Sequence, residues 1–278
     1  MPDSSPSRPA ALLPTTARLS LHLREQANSA AAIPTNEHLR FQLDHALARD
    51  AVHAALDVPL LERGLLARGL TPLTLRSAAR DRKEYLRRPD LGRTLHPSSV
   101  VALQSPNFTS NAVISTEAQR SGETPAFRAA PALNPEAPIL FILADGLSAL
   151  ALERRGLPLL DATLPLITNH SSLITVVQNA RVALADHIGQ LLSAQLTVLF
   201  IGERPGLSSP DSLGVYLTWH PRPGRTDAER NCISNIRAEG LSYAVAAHRI
   251  AHYIAEARRL QTTGIALKDP VVRAILGP

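Results

Sequence analysis

Three short, almost wholly apolar runs constrain this chain more than any other feature. They are Ile139-Leu140-Phe141-Ile142-Leu143, Leu173-Ile174-Thr175-Val176-Val177 and Leu196-Thr197-Val198-Leu199-Phe200-Ile201. Each has the length of a strand and lacks the polar alternation of a half-exposed one, so each suits a strand buried on both faces. Helical stretches at Leu147–Arg154 and Val182–Ser193 separate them. Strands that alternate with helices predict a mostly parallel sheet covered on both sides. Gly214–Trp219 and Cys232–Ile236 add two candidate strands, and Ser242 caps a long helix over Tyr243–Thr262.

The expected fold is therefore α/β: a Rossmann-like, mostly parallel sheet with flanking helices, occupying residues 138–278. Right-handed crossovers place the loops after Leu143, Val177 and Ile201 on one rim. In open α/β sheets that rim is where ligands bind.

The preceding hundred residues read differently. Residues 1–14 hold four prolines and three serines and predict a disordered tail. Arg18–Arg24 alternates polar and apolar, as a short strand or extended arm would. Thr35 offers a helix N-cap with Glu37 in the first turn, and apolar residues then recur at Leu39, Leu43, Ala46 and Leu47 and at Phe41, Ala48 and Val52. Pro59 ends that helix; Glu62–Ala67 and Ser77–Arg88 predict two more. Residues 15–103 thus form a smaller, mainly helical N-terminal domain. Residues 104–137, with four prolines and no periodicity, read as a linker or insertion.

Composition narrows the function classes. The longest apolar runs fall far short of the roughly 20 residues that span a bilayer. The N-terminus has no apolar core typical of a secretory signal. One cysteine excludes an internal disulfide framework and fits a reducing cytosol. A net charge of +5 invites nucleic acid, but aromatic residues make up 4% of the chain and no zinc-finger or RNP pattern occurs. An arginine-rich surface, or a subunit interface, accounts for the charge equally well. Neither a nucleic-acid nor a membrane partner is expected.

Several residues invite chemistry. His38, His45 and His53 share a helix at spacings of seven and eight, whereas a zinc site on one helix prefers i, i+4 with a third ligand, so no metal site is expected. Asp145 before Gly146 reads most simply as a helix N-cap. Glu203 and Arg204, in the stiff loop Gly-Glu-Arg-Pro-Gly, form either a surface ion pair or a carboxylate that accepts hydrogen bonds from a ligand. Cys232 is by residue type a small buried hydrophobe; a nucleophilic thiol needs a paired base, and no hydrolase signature surrounds it. Neither GxGxxG nor GxxxxGK[ST] is present. The residues alone describe a ligand-binding α/β domain with no catalytic residues of its own.

One long segment carries a resemblance. GERPGLSSPDSLGVYLTWHPRPGRTDAERNCISNIRAEGLSYAVAAHRIAHYI, from Gly202 to Ile254, resembles the C-terminal half of the small (light) subunit family of ethanolamine ammonia-lyase. Phe41–Arg49 (FQLDHALAR), Tyr85–Gly92 (YLRRPDLG) and Leu143–Ala149 (LADGLSA) match that family in the same order. The similarity covers most of residues 11–100 and 138–269, and residues 104–137 lengthen a connection that is shorter in the family.

The resemblance implies an adenosylcobalamin-dependent carbon–nitrogen lyase that converts ethanolamine to acetaldehyde and ammonia by a radical route. It implies a large partner subunit, a TIM-type barrel that binds substrate, in a hetero-oligomer. It also implies cofactor contacts from Val182, Glu203 and Cys232. The cobalamin signature Asp-x-His-x-x-Gly is absent, and Asp186-His187-Ile188-Gly189 matches it only superficially. A family that keeps the cofactor's own base below cobalt has no need of that histidine. The implied location is cytoplasmic, with a bacterial microcompartment as the alternative. A non-catalytic α/β ligand-binding module is the competing reading.

Overall fold

The computed structural model describes residues 33–104, 139–168 and 170–268. The readings for residues 1–14, Arg18–Arg24 and 105–137 lie outside them. Two compact units are distinguished, residues 1–47 and 48–278.

A six-stranded sheet organises the second unit: β1 (Thr71–Arg76), β2 (Ile139–Ala144), β3 (His170–Gln178), β4 (Leu196–Gly202), β5 (Leu213–Trp219) and β6 (Arg230–Ile236), in the order β1-β3-β2-β4-β5-β6. The first four run parallel; β5 is antiparallel to β4 and β6 antiparallel to β5. The mostly parallel α/β sheet is as expected, with an antiparallel extension at one side.

The described helices are α1 (Thr35–His53), α2 (Val58–Leu66), α3 (Arg82–Arg87), α4 (Pro97–Gln104), α5 (Ala149–Thr163), α6 (Leu184–Leu191) and α7 (Tyr243–Leu260). The apolar runs do what continuous hydrophobicity requires, since every residue of β2 and of β4 is buried. Alternate side chains serve two cores. Phe141, Leu143, Ile174, Val198 and Phe200 pack with α2, α5 and α7, while Leu140, Ile142, Val177, Leu199 and Ile201 pack with α4 and α6. The connection β2–α5–β3 steps to one side of β2, and β3–α6–β4 crosses back to the other side. Strand order therefore reverses at β2 and β4, which makes their carboxyl ends the topological switch point.

Strand β1 is a departure. Residues 71–76 fall in the stretch read as mainly helical, yet they pair in parallel with β3 along their full length. Pro72 has no amide proton to give, which suits an edge strand, and β1 is the edge. Helix α3 covers only the end of the predicted Ser77–Arg88 helix, because Asp81 accepts from the Glu84 amide at 2.9 Å and starts the helix there. Helix α1 begins at Thr35 itself, and its apolar positions Leu39, Phe41, Leu43 and Leu47 are exposed.

The YLRRPDLG segment supports the rim from below. Tyr85 is wholly buried, with the guanidinium of Arg181 4.5 Å from its ring centre and that of Arg82 5.0 Å away. Its hydroxyl donates to the Ala180 carbonyl at 3.0 Å, and the Arg181 amide donates to the Gly92 carbonyl at 2.8 Å. A Cβ at Gly92 would lie within 3 Å of both Tyr85 and Arg181, so glycine is needed for that approach.

Candidate functional site

Two of the motif loops meet at the switch point. Gly202 ends β4 against the turn after β2, and a Cβ there would stand 2.0 Å from the Ser148 carbonyl oxygen and 2.5 Å from that of Asp145. Gly146, at φ +53, faces the Gly202 carbonyl, which accepts from the Leu147 amide at 2.9 Å. The two glycines let Leu143–Ala149 and the GERPG loop close on each other at backbone distance.

Asp145 does not cap the helix. Ser148 does so, accepting from the Ala151 amide at 3.2 Å. The buried Asp145 carboxylate instead accepts from the amides of Asn179 (2.9 Å) and Ala180 (3.1 Å) and pairs with Arg82 at 3.2 Å. Burial pushes its pKa up to about 6, against the pull of Arg82 and those amides. Asp145 thus ties the end of β2 to the loop after β3, whose Asn179 takes a left-handed φ of 55°.

Strand direction brings further residues to the same rim. Because β5 is antiparallel, Ser212 just before it faces Glu203 just after β4; because β6 reverses again, Asn235 near its end returns there. The Ser212 hydroxyl donates to the Glu203 carboxylate at 2.5 Å. The Asn235 amide, at φ 62°, reaches the same carboxylate at 3.3–3.4 Å. Glu203 thus accepts hydrogen bonds from Ser212 and Asn235 of this chain and is not half of a surface ion pair with Arg204.

Tyr216 pairs across the ladder with Cys232 and is half-buried on the α6 side of the sheet. Burial, with Cys232 and Glu203 beside it, pushes the Tyr216 hydroxyl's pKa well up. Cys232 is an exposed residue, which corrects the buried reading. Its sulfur lies 3.2 Å from the Ser234 hydroxyl, and the neighbours that crowd and desolvate the thiol push its pKa up. Alkylation of Cys232 should therefore be slow at neutral pH and accelerate about tenfold per pH unit toward pH 9. A rate already saturated at pH 7 in iodoacetamide kinetics would contradict this environment.

Val182 occupies the turn that opens α6, where its carbonyl accepts from the Ala185 amide at 3.2 Å. The helix proper begins at Leu184, two residues later than expected. Val182 is half-buried on the same core as Tyr216, so it shares the sheet face on which Cys232 lies. Ser212 leaves no signal in the sequence, because only the β4–β5 register brings it to Glu203.

Asp186 and Arg230 form the deepest ion pair here, bidentate at 2.6 and 2.8 Å, with side chains 1% and 2% exposed. The pair joins α6 to β6. Asp186, the first residue of the superficial cobalamin-like match, is a structural group. Among the described residues no cluster of three or more His, Cys, Asp or Glu is placed to hold a metal ion, and no helix is long and apolar enough to cross a membrane.

The model of the family described as ethanolamine ammonia-lyase light chain (EutC) matches residues 14–119 and 120–268. An ethanolamine ammonia-lyase small subunit of Azotobacter vinelandii is 47% identical over 258 residues, covering 92% of this chain and 85% of that protein. Its counterpart from Pseudomonas aeruginosa UCBPP-PA14 is 44% identical, over 100% of this chain and 93% of its own. One from Pseudomonas putida GB-1 is 45% identical over 258 residues, 92% of this chain and 85% of its own. The rim built by Asp145, Gly202 and Glu203, like Cys232 on β6, lies within the matched segments, and the chain belongs to the ethanolamine ammonia-lyase light-chain family.

Proposed function

We propose that this chain is the small subunit of an adenosylcobalamin-dependent ethanolamine ammonia-lyase and covers part of the cofactor with Val182, Glu203 and Cys232. A large subunit supplies the substrate site and the groups that act on ethanolamine to give acetaldehyde and ammonia. The observation that carries this reading is the held Glu203 carboxylate beside an exposed strand face. The other acids near the rim are already engaged, Asp145 by Arg82 and Asp211 by Arg154 and Arg155. The rim is equipped to bind and shield, not to transfer protons.

The residues fit such a ligand. Cobalamin is broad and flat, with amide side chains around its edge. Cys232 and Ser234, small and exposed on β6, let a flat group approach the strand closely. Glu203, fixed by Ser212 and Asn235, keeps lone pairs for an amide or hydroxyl donor of the ligand. Val182 offers an apolar contact at the mouth of α6. When bound, adenosylcobalamin supplies the radical that starts the reaction. The subunit's part is to orient that group and exclude water from it. A cytoplasmic complex belongs to the same proposal, with a bacterial microcompartment as the alternative setting.

Co-expression with and without the large subunit tests the assignment. Acetaldehyde release that needs both chains and adenosylcobalamin is the expected result. A complex that fails to form, or stays inactive with cofactor, would contradict it. If the purified chain alone titrates a small ligand stoichiometrically while no complex forms, the ligand-binding module is the better reading.

A further inference from the structure

We infer that Ser212 is a positioning residue: its hydroxyl, with the Asn235 amide, fixes the Glu203 carboxylate as an outward-facing acceptor for the cofactor's hydrogen-bond donors. The inference rests on the assignment of Glu203 to the cofactor.

Four contacts restrict Glu203. The Ser212 hydroxyl donates to it at 2.5 Å, and Ser212 is 4% exposed. The Glu203 amide donates to the Ser212 carbonyl at 3.0 Å, so backbone and side chain of these two residues are tied together. The Asn235 amide approaches the carboxylate because Asn235 adopts a left-handed φ of 62°. A Cβ at Gly214 would come within 3.0–3.4 Å of the Glu203 side chain, which therefore lies against bare backbone.

Ser212 is itself anchored from behind. Its neighbour Asp211 pairs with Arg155 at 2.6 Å and Arg154 at 3.3 Å, both on α5. The Pro210 carbonyl accepts from Ser148 at 2.8 Å, and the Ser208 carbonyl accepts from Arg237 at 3.0 Å. The segment Ser208–Ser212 is thus fastened to the switch point on one side and to the end of β6 on the other. Its last residue hands that rigidity to Glu203. A carboxylate held this way loses little side-chain freedom when a ligand arrives, which is how a preformed site gains affinity.

The test is a titration of cobalamin into the assembled two-subunit complex, followed by absorbance, for Ser212→Ala, Ser212→Thr, Glu203→Gln and the Ser212→Ala/Glu203→Gln double variant. Ser212→Ala is expected to raise Kd about fivefold, the size of one lost hydrogen bond. In the Glu203→Gln background the same change should have less than about a twofold effect, because the two act as one unit. Recovery in Ser212→Thr supports the hydroxyl as the active feature; thermal unfolding shows whether its extra methyl fits. A parent-like Kd for Ser212→Ala, or an equal effect in both backgrounds, overturns the inference while leaving Glu203 in the site. A parent-like Kd for Glu203→Gln overturns the cofactor assignment, and with it the reason to position that carboxylate.

Discussion

Asp186→Ala lowers the unfolding free energy of this subunit by about 3–5 kcal/mol, the cost of leaving one buried partner of an ion pair uncompensated. The Arg230 guanidinium would remain in place, 2% exposed, with only the Thr218 hydroxyl, the Arg225 carbonyl and the largely exposed Asp227 around it. Arg230 begins β6 and Asp186 sits on α6, so the loss falls on the contact between that strand and the helix opened by Val182. For a unit of this size about 4 kcal/mol corresponds to a fall in Tm of roughly 8–16 °C. Replacing both partners with apolar residues of similar volume, as in Asp186→Leu with Arg230→Met, should recover most of it, since the desolvation of two charges is then removed. Differential scanning calorimetry of the three proteins measures this. A fall in Tm of less than about 3 °C for Asp186→Ala would show that water or a neighbour compensates Arg230.

Gly202→Ala is the second large effect. An added methyl would sit 2.0 Å from one backbone oxygen and 2.5 Å from another, and neither can turn away as a side-chain tip could. The junction of β4 with the β2–α5 turn must open, at about 1–3 kcal/mol or more for overpacking of this kind. Glu203 follows immediately in the chain, so the displacement passes to its carboxylate. Gly202→Ala should therefore lower both Tm and cobalamin affinity in the assembled complex. Gly69→Ala provides the control: Gly69 has a positive φ of 71°, and its added Cβ meets nothing within 4 Å. It should cost stability alone. Equal cobalamin affinity in the Gly202 and Gly69 variants would disconnect the junction from the site.

What was legible in the sequence followed from local chemistry. The runs at 139–143, 173–177 and 196–201 announced buried strands because two-sided burial leaves a continuous apolar signature. Ser242 announced α7, and the structure has it accepting from the Val245 amide. The rim after those strands then followed from crossover handedness. Partners distant in sequence left no local signature. Asp145 read as a cap because Arg82, its partner, lies 63 residues upstream. Cys232 read as buried because the residue type usually is, whereas the two-residue period of β6 turns it outward between buried Asn231 and Ile233. Strand β1 did carry a signal: Leu73 and Leu75 alternate with polar neighbours and are buried. Its surroundings read as helical, and Pro72 is tolerated in the strand because β1 is an edge. The proposed cofactor contacts rest on family resemblance, since a glutamate, a cysteine and a valine spread over fifty positions form no motif by spacing alone.

Under the proposed function, Glu203 holds the cofactor and takes no part in subunit assembly. The most direct measurement is the cobalamin dissociation constant of the co-expressed complex carrying Glu203→Gln, with the sedimentation profile recorded on the same sample. An unchanged profile and a Kd raised about tenfold are expected, because the amide turns one acceptor oxygen into a donor facing the ligand's own donors. A parent-like Kd in an intact complex, or a complex that no longer assembles, would contradict it.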